Sequence, residues 1–172
     1  MGNPFSKFIY KKTPQILLIG LDAVGKTTIL NQLKLGKVEN FFTGIGYQQK
    51  KLLTKSFDII TWNIEGPSGL RLLWRHFYEK SQALILVLDL TNQERLIEIK
   101  EWLEKYLIDN KLNRLPLLIY VNKIDLVQIN LNQLNSELMF EKFSNNFLIQ
   151  PCCAITREGL EDGITWILQQ IK

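Results

Sequence analysis

Cysteine is almost missing from this chain of 172 residues. The two present, Cys152 and Cys153, are adjacent. Neighbouring cysteines rarely bridge and no third thiol is available, so a disulfide scaffold is excluded and a reducing compartment is expected. No stretch is long and apolar enough to cross a membrane, and the N-terminus lacks the apolar segment of a secretory signal. Internal repeats and low-complexity linkers are missing too, which points to one domain after a short leading arm. There is no long Lys/Arg run and no aromatic ladder, so nucleic acid is not an expected partner. A single histidine, His76, has no evident catalytic partner and reads as a packing or surface residue.

What is present is an ordinary globular composition, 46% hydrophobic and 22% charged. The net charge of +4 and a pI near 9.0 lean mildly towards an anionic partner, such as phosphate or membrane lipid.

The most informative stretch is QILLIGLDAVGKTT at 15–28. Gln15–Ile19 is an apolar run with the pattern of a buried strand. Gly20–Thr27 then reads G-L-D-A-V-G-K-T, the phosphate-loop pattern. Gly20 and Gly25 allow a tight turn that aims backbone N–H groups at phosphate oxygens. Asp22, Ala23, Gly25, Lys26, Thr27 and Thr28 form the candidate nucleotide-binding set. Lys26 suits the β- and γ-phosphates, and the Thr27 hydroxyl suits Mg²⁺. Thr28–Leu35 continues as a helix whose positive end favours an anion.

Gly36 ends that helix, and residues 37–46 read as a loop. Tyr47–Leu53 and Phe57–Ile64 read as a hairpin across residues 54–56. A turn at 66–69, a helix at Leu70–Lys80 and an apolar strand at Ala83–Leu88 follow. Thr91 and Glu94 have capping-box spacing ahead of a helix with Leu96, Ile99, Leu103 and Leu107 on one face. Pro116–Val121 is another buried strand, Leu131–Phe143 a helix, Phe147–Gln150 a short strand and Arg157–Ile171 a helix. Alternating strands and helices predict an α/β domain, a mostly parallel six-stranded sheet covered on both faces. Ligands then bind beyond the carboxyl ends of the strands.

Asn122-Lys123-Ile124-Asp125 follows one of these strands. The Asp125 carboxylate can accept from the guanine N1–H and exocyclic amine, which adenine does not offer in that pattern. At the other end, Met1-Gly2-Asn3-Pro4-Phe5-Ser6 fits N-myristoylation at Gly2. Phe5, Phe8 and Ile9 lie at helical spacing beside Lys7, Lys11 and Lys12, the kind of second signal that firms a single acyl anchor. The expected organisation is an arm at 1–13, ended by Pro14, and a nucleotide-binding domain at 14–172.

These motifs make the chain resemble the ADP-ribosylation factor (Arf and Arf-like) family of small GTPases. The likenesses are GLDAVGKTTIL at 20–30, LKLG at 33–36, LLWRHFY at 72–78, NKID at 122–125 and GLEDGITWI at 159–167. The resemblance implies a P-loop GTPase fold that binds GTP or GDP with Mg²⁺. It also implies two switch segments, an interswitch hairpin at Tyr47–Ile64, effectors bound through that surface, and a cytoplasmic protein held peripherally on membranes. It places Cys153 and Ala154 where a loop offers a backbone N–H to the guanine oxygen. Gly66, or Glu65 beside it, falls where a glycine N–H meets the γ-phosphate. Trp62, Trp74, Trp102 and Trp166 suit core and switch-surface packing.

The chain departs from the family pattern at the hydrolytic end. The family's W-D-x-G-G-Q becomes Trp62-Asn63-Ile64-Glu65-Gly66-Pro67. Pro67 stands where a glutamine orients the attacking water, and Asn63 where an aspartate supports Mg²⁺ through water. The family's P-T-I-G becomes Thr43-Gly44-Ile45-Gly46, with Gly44 where a threonine binds the metal. The expectation is a guanine-nucleotide-binding protein with impaired hydrolysis and weakened Mg²⁺ dependence. The alternatives are an active GTPase completed by a partner and a structural pseudo-GTPase subunit of an assembly.

Overall fold

The structure, a computed structural model, describes residues 14–33, 37–44, 47–53, 58–64, 81–91, 94–106 and 114–171. In chain order, β1 (Gln15–Ile19) leads into α1 (Lys26–Leu33). Then come β2 (Lys37–Gly44), β3 (Tyr47–Leu53), β4 (Asp58–Ile64) and β5 (Ala83–Asp89). The remainder is α2 (Glu94–Tyr106), β6 (Leu117–Asn122), α3 (Leu131–Leu138), β7 (Phe147–Pro151) and α4 (Leu160–Gln170).

The described strands form one seven-stranded sheet in the order β2-β3-β4-β1-β5-β6-β7. Strands β4, β1, β5, β6 and β7 run parallel. Strands β2 and β3 turn the edge antiparallel. The residues of β5 and β6 are buried throughout, as are Ile16–Ile19 of β1. A strand covered on both faces needs apolar residues at every position, which explains unbroken runs instead of alternation.

The α/β architecture matches the sequence expectation, with one strand more than the six foreseen. The extra strand is β2, where a loop was expected at 37–46. Its pairing with β3 shifts register between Asn40 and Phe42, leaving Phe41 without a direct partner. Such a bulge breaks the period-two pattern by which a strand is read. The third helix is shorter than the expected 131–143. It starts at Asn130, whose side chain accepts from the Asn132 and Gln133 N–H groups, each at 3.1 Å. It ends at Met139, which turns left-handed at φ 50°. A 3₁₀ turn over Phe140–Lys142 follows, and Phe140 is fully buried. The last helix starts at Leu160 and not Arg157, because Arg157 and Gly159 both have positive φ.

Helix α4 is seated on β6 by a specific contact. Tyr120 Oη donates to the Leu160 carbonyl at 2.6 Å. A Cβ at Gly163 would lie 2.6 Å from the Tyr120 ring, so glycine is what lets helix and ring meet. Burial holds the Tyr120 phenol well above its ordinary pKa, so it remains a donor. This contact fixes the chain just after the loop 152–159, which forms one wall of the site.

The expected arm at 1–13, Gly2, the helix at 70–80, Trp74, His76, Glu65, Gly66, Pro67 and Leu107 lie outside the described residues.

Candidate nucleotide-binding site

The carboxyl ends of β1, β6 and β7 bring three loops together. The first runs from Gly20 to Gly25. Gly20 has φ 150°, Ala23 φ 57° and Gly25 φ 100°. A succession of such conformations curls the chain into a cradle of N–H groups. A Cβ at Gly25 would fall 2.3 Å from Asn122 Nδ2, so the site demands glycine by space and by conformation. Helix α1 opens directly on this loop, and Ile29 N–H bonds back to the Gly25 carbonyl at 2.9 Å.

Lys26 is only 4% exposed. Its ammonium donates to the carbonyls of Gly20, at 2.9 Å, and Leu21, at 2.5 Å. A buried cation needs such partners, and this hold keeps the charge over the curled loop. Thr27 follows on α1, and Thr28 lines the cleft.

The second loop is Asn122–Asp125. Asn122 is 2% exposed and staples all three loops. Its Nδ2 donates to the Val24 carbonyl at 2.9 Å. Its Oδ1 accepts from the Ala154 N–H at 2.9 Å and from the Cys152 thiol at 3.8 Å. Lys123 takes a left-handed φ of 66° and pairs with Asp89, at the end of β5, at 2.5 Å. Asp89 also accepts from the Thr91 N–H at 2.9 Å and hydroxyl at 2.7 Å. Burial alone would raise the Asp89 carboxyl. The hydrogen bonds from Lys123 and Thr91 outweigh it and hold the group below its ordinary value. Asp125 is exposed at the mouth.

The third loop carries Cys152, Cys153 and Ala154, all buried. Burial, aided by the neighbouring Cys153, pushes the Cys152 thiol up to about 12. It therefore stays protonated and available to donate. The Cys153 N–H is taken by the Glu158 carbonyl at 3.0 Å, and the Ala154 N–H by Asn122.

Together these loops enclose a cleft of about 150 Å³. Ala23, Gly25, Thr28, Asn122, Lys123, Asp125, Cys153 and Ala154, all named from sequence, line it. Leu126 and Ile155 join them, and sequence reasoning missed both. They are 67% and 73% exposed and form an apolar lip on the cleft. Nothing in the local pattern marks them, because an isolated aliphatic residue in a loop has no periodicity.

Asp22 stands apart. Its side chain turns outward to Arg95 at 2.5 Å, and Arg95 also donates to the Asp22 carbonyl at 2.9 Å. Arg95, on α2, is a third residue that sequence reasoning did not single out. Thr43 and Gly44 also lie away from the loops. They belong to edge strand β2, paired with Gln48 and Tyr47. Three inter-strand spacings separate β2 from β1, roughly 14 Å.

The model of the ADP-ribosylation factor family matches residues 2–171. The chain belongs to this family. Members of the Arf family are small GTP-binding proteins that take guanine nucleotide with Mg²⁺ and bind effectors. The fold and loop geometry fit that membership: a P-loop α/β domain with its cradle beyond the carboxyl end of β1.

Proposed function

We propose that this Arf-family protein binds GTP or GDP in the cleft and hydrolyses GTP slowly or not at all. The observation that carries the binding reading is Asn122, which ties the phosphate loop to the loop holding Ala154. Asp125 is the group that would select guanine, and the N–H groups of Asp22–Thr28 would hold the phosphates. The Ala154 N–H would share itself between Asn122 and the base oxygen. Lys26 would exchange its loop carbonyls for phosphate oxygens without leaving the cradle. The cradle residues fit Mg²⁺ only in part: the Thr27 hydroxyl would hold it, and Gly44 offers no side-chain oxygen. The metal, when bound, neutralises charge on the terminal phosphates.

Slow hydrolysis is supported by Pro67, Asn63 and Gly44. Orientation of water and charge stabilisation make up nearly all of GTPase catalysis, so losing the glutamine is severe. Loss at the γ-phosphate end leaves the cradle for the α- and β-phosphates intact, so affinity should outlast turnover. We also propose that acylated Gly2 and the basic arm hold the protein on the cytoplasmic side of a membrane, where effectors meet its switch surface.

The test is the nucleotide released from purified, denatured protein, together with affinities for GTP, XTP and ATP. GTP or GDP is expected, and Asp125→Asn should shift preference from guanine to xanthine, since an amide donates where the carboxylate accepted. Equal affinity for ATP and GTP in the unaltered protein overturns the reading. Single-turnover hydrolysis settles the second half: rapid turnover by the protein alone, abolished by Lys26→Ala, would show that another residue has replaced the glutamine.

A further inference from the structure

Side chains hold the phosphate loop by its carbonyls. Lys26 takes those of Gly20 and Leu21, Asn122 that of Val24, and Arg95 that of Asp22. Lys26 and Asn122 belong to the two sequence motifs. Arg95 belongs to neither and stands 73 positions from Asp22 in the chain.

Its place on α2 runs against local preference. Arg95 is the second residue of the helix. A cation there faces the positive end of the helix dipole, which disfavours it. The side chain is turned to a tertiary contact instead. It is 23% exposed. Ile99 and Leu103, further along the same face, are buried in the core and seat the helix. The guanidinium therefore reaches the loop from a fixed base. Its Nη1 donates to the Asp22 carbonyl at 2.9 Å and its Nη2 to the carboxylate at 2.5 Å. The carboxylate is 61% exposed, so the charge pair by itself contributes little.

The carbonyl bond has a directional consequence. No peptide bond among the described residues is cis. A trans peptide sets its N–H opposite its C=O. A carbonyl drawn outward to Arg95 thus aims the N–H of the next residue the other way. That residue is Ala23, left-handed at φ 57° and part of the cleft lining, whereas Asp22 and Arg95 do not line the cleft. A non-glycine residue persists in that conformation only where its surroundings hold it.

We infer that Arg95 is a positioning residue for phosphate binding: it turns the Asp22–Ala23 peptide so that the Ala23 N–H donates to a phosphate oxygen of the bound nucleotide. The inference rests on the nucleotide reading above and adds to it a residue outside both motifs.

The test uses the full-length chain labelled with ¹⁵N-alanine and loaded with GDP. The chain has three alanines, and each reports a different place. Ala23 lies at the phosphate end, Ala154 on the third loop, and Ala83 at the amino end of β5. In the original protein the Ala23 amide proton should move downfield when GDP binds, because a charged oxygen accepts from it. Arg95→Met removes the donors and keeps the length. It should lose that downfield shift, leave the Ala83 and Ala154 signals in place, and release a fluorescent GDP about tenfold faster. Arg95→Lys keeps one donor for the carbonyl. It should keep the downfield Ala23 signal and release GDP within about threefold of the original rate. No GDP bound by the original chain overturns the nucleotide reading and this inference with it. The other failures overturn the inference alone. They are an Ala23 amide that GDP does not shift, an Arg95→Met protein that keeps the shift or releases GDP as slowly as the original, and an Arg95→Lys protein that behaves as Arg95→Met does.

Discussion

Asp89 shows how one carboxylate serves the site without touching a ligand. It holds Lys123, the second residue of the guanine motif, in a left-handed turn that a non-glycine residue rarely adopts. Its pKa is depressed, so its contribution to stability is present above the unfolded value, about 3.9. That contribution is lost as pH falls through the lower folded value. Asp89→Asn should therefore flatten the acid side of the stability profile below about pH 4, read by denaturant unfolding at a series of pH values. It should also cost about 1–3 kcal/mol near neutrality, because Lys123 loses its charged partner. At the neighbouring loop, the buried and protonated Cys152 should resist alkylation in the folded protein at pH 8, a value well below its pKa of about 12. Mass spectrometry after mild iodoacetamide treatment checks this. Modification of Cys152 as fast as in the unfolded chain would contradict the burial seen here. Ile155 offers a third residue-scale test. An aliphatic side chain on the lip would be covered by a bound purine, so Ile155→Asp should speed nucleotide release several-fold and leave the GTP-over-ATP preference intact, since Asp125 is unaltered. Stopped-flow release of a fluorescent nucleotide measures it.

Among the elements, the β6–α4 pair bears most directly on the site. The strand ends in Asn122, and the helix begins where the Cys152–Gly159 loop finishes. Tyr120 and Gly163 hold the two together, so a loosened helix should free one wall of the cleft. Tyr120→Phe leaves the Leu160 carbonyl without its side-chain donor and should cost about 1–3 kcal/mol. That corresponds to a fall of several degrees in melting temperature at this chain length, about 2–4 °C per kcal/mol. Gly163→Ala drives a methyl into the ring and should cost at least as much. Calorimetry compares the two, and a Gly163→Ala protein as stable as the original would mean that α4 can slide on the sheet. Edge strand β2 carries a different lesson. The segment Thr43–Gly44 reads as a metal-binding switch by resemblance, yet here it is paired with β3 at the far edge of the sheet. For Thr43 to reach the phosphate loop, that pairing must be given up.

For the whole molecule, the proposed membrane attachment is tested by Gly2→Ala, which should move the protein from the membrane to the soluble fraction. One acyl chain binds only marginally, so the basic arm is needed beside it, and high salt should weaken attachment of the original protein. Intact-mass measurement on protein from its native cells must show the myristoyl group.

Much of the fold was legible in the sequence, because buried parallel strands are written as unbroken apolar runs and turns as glycine and polar clusters. The phosphate loop and the guanine motif were legible for the same reason. Each is a contiguous stretch whose backbone chemistry depends on residue type and spacing. What only the tertiary structure decided is non-local. The strand order placed Asn122 against Val24 and Ala154, residues far apart in the chain. It set Asp89 beside Lys123, turned Asp22 outward to Arg95, and brought Leu126 and Ile155 to one lip. A bulge hid β2 from its own alternation, and left-handed turns at Met139 and Gly159 shortened two helices. Periodicity reports which face of a segment is buried. It does not report which segments meet, because that depends on the packing of the whole chain around one sheet.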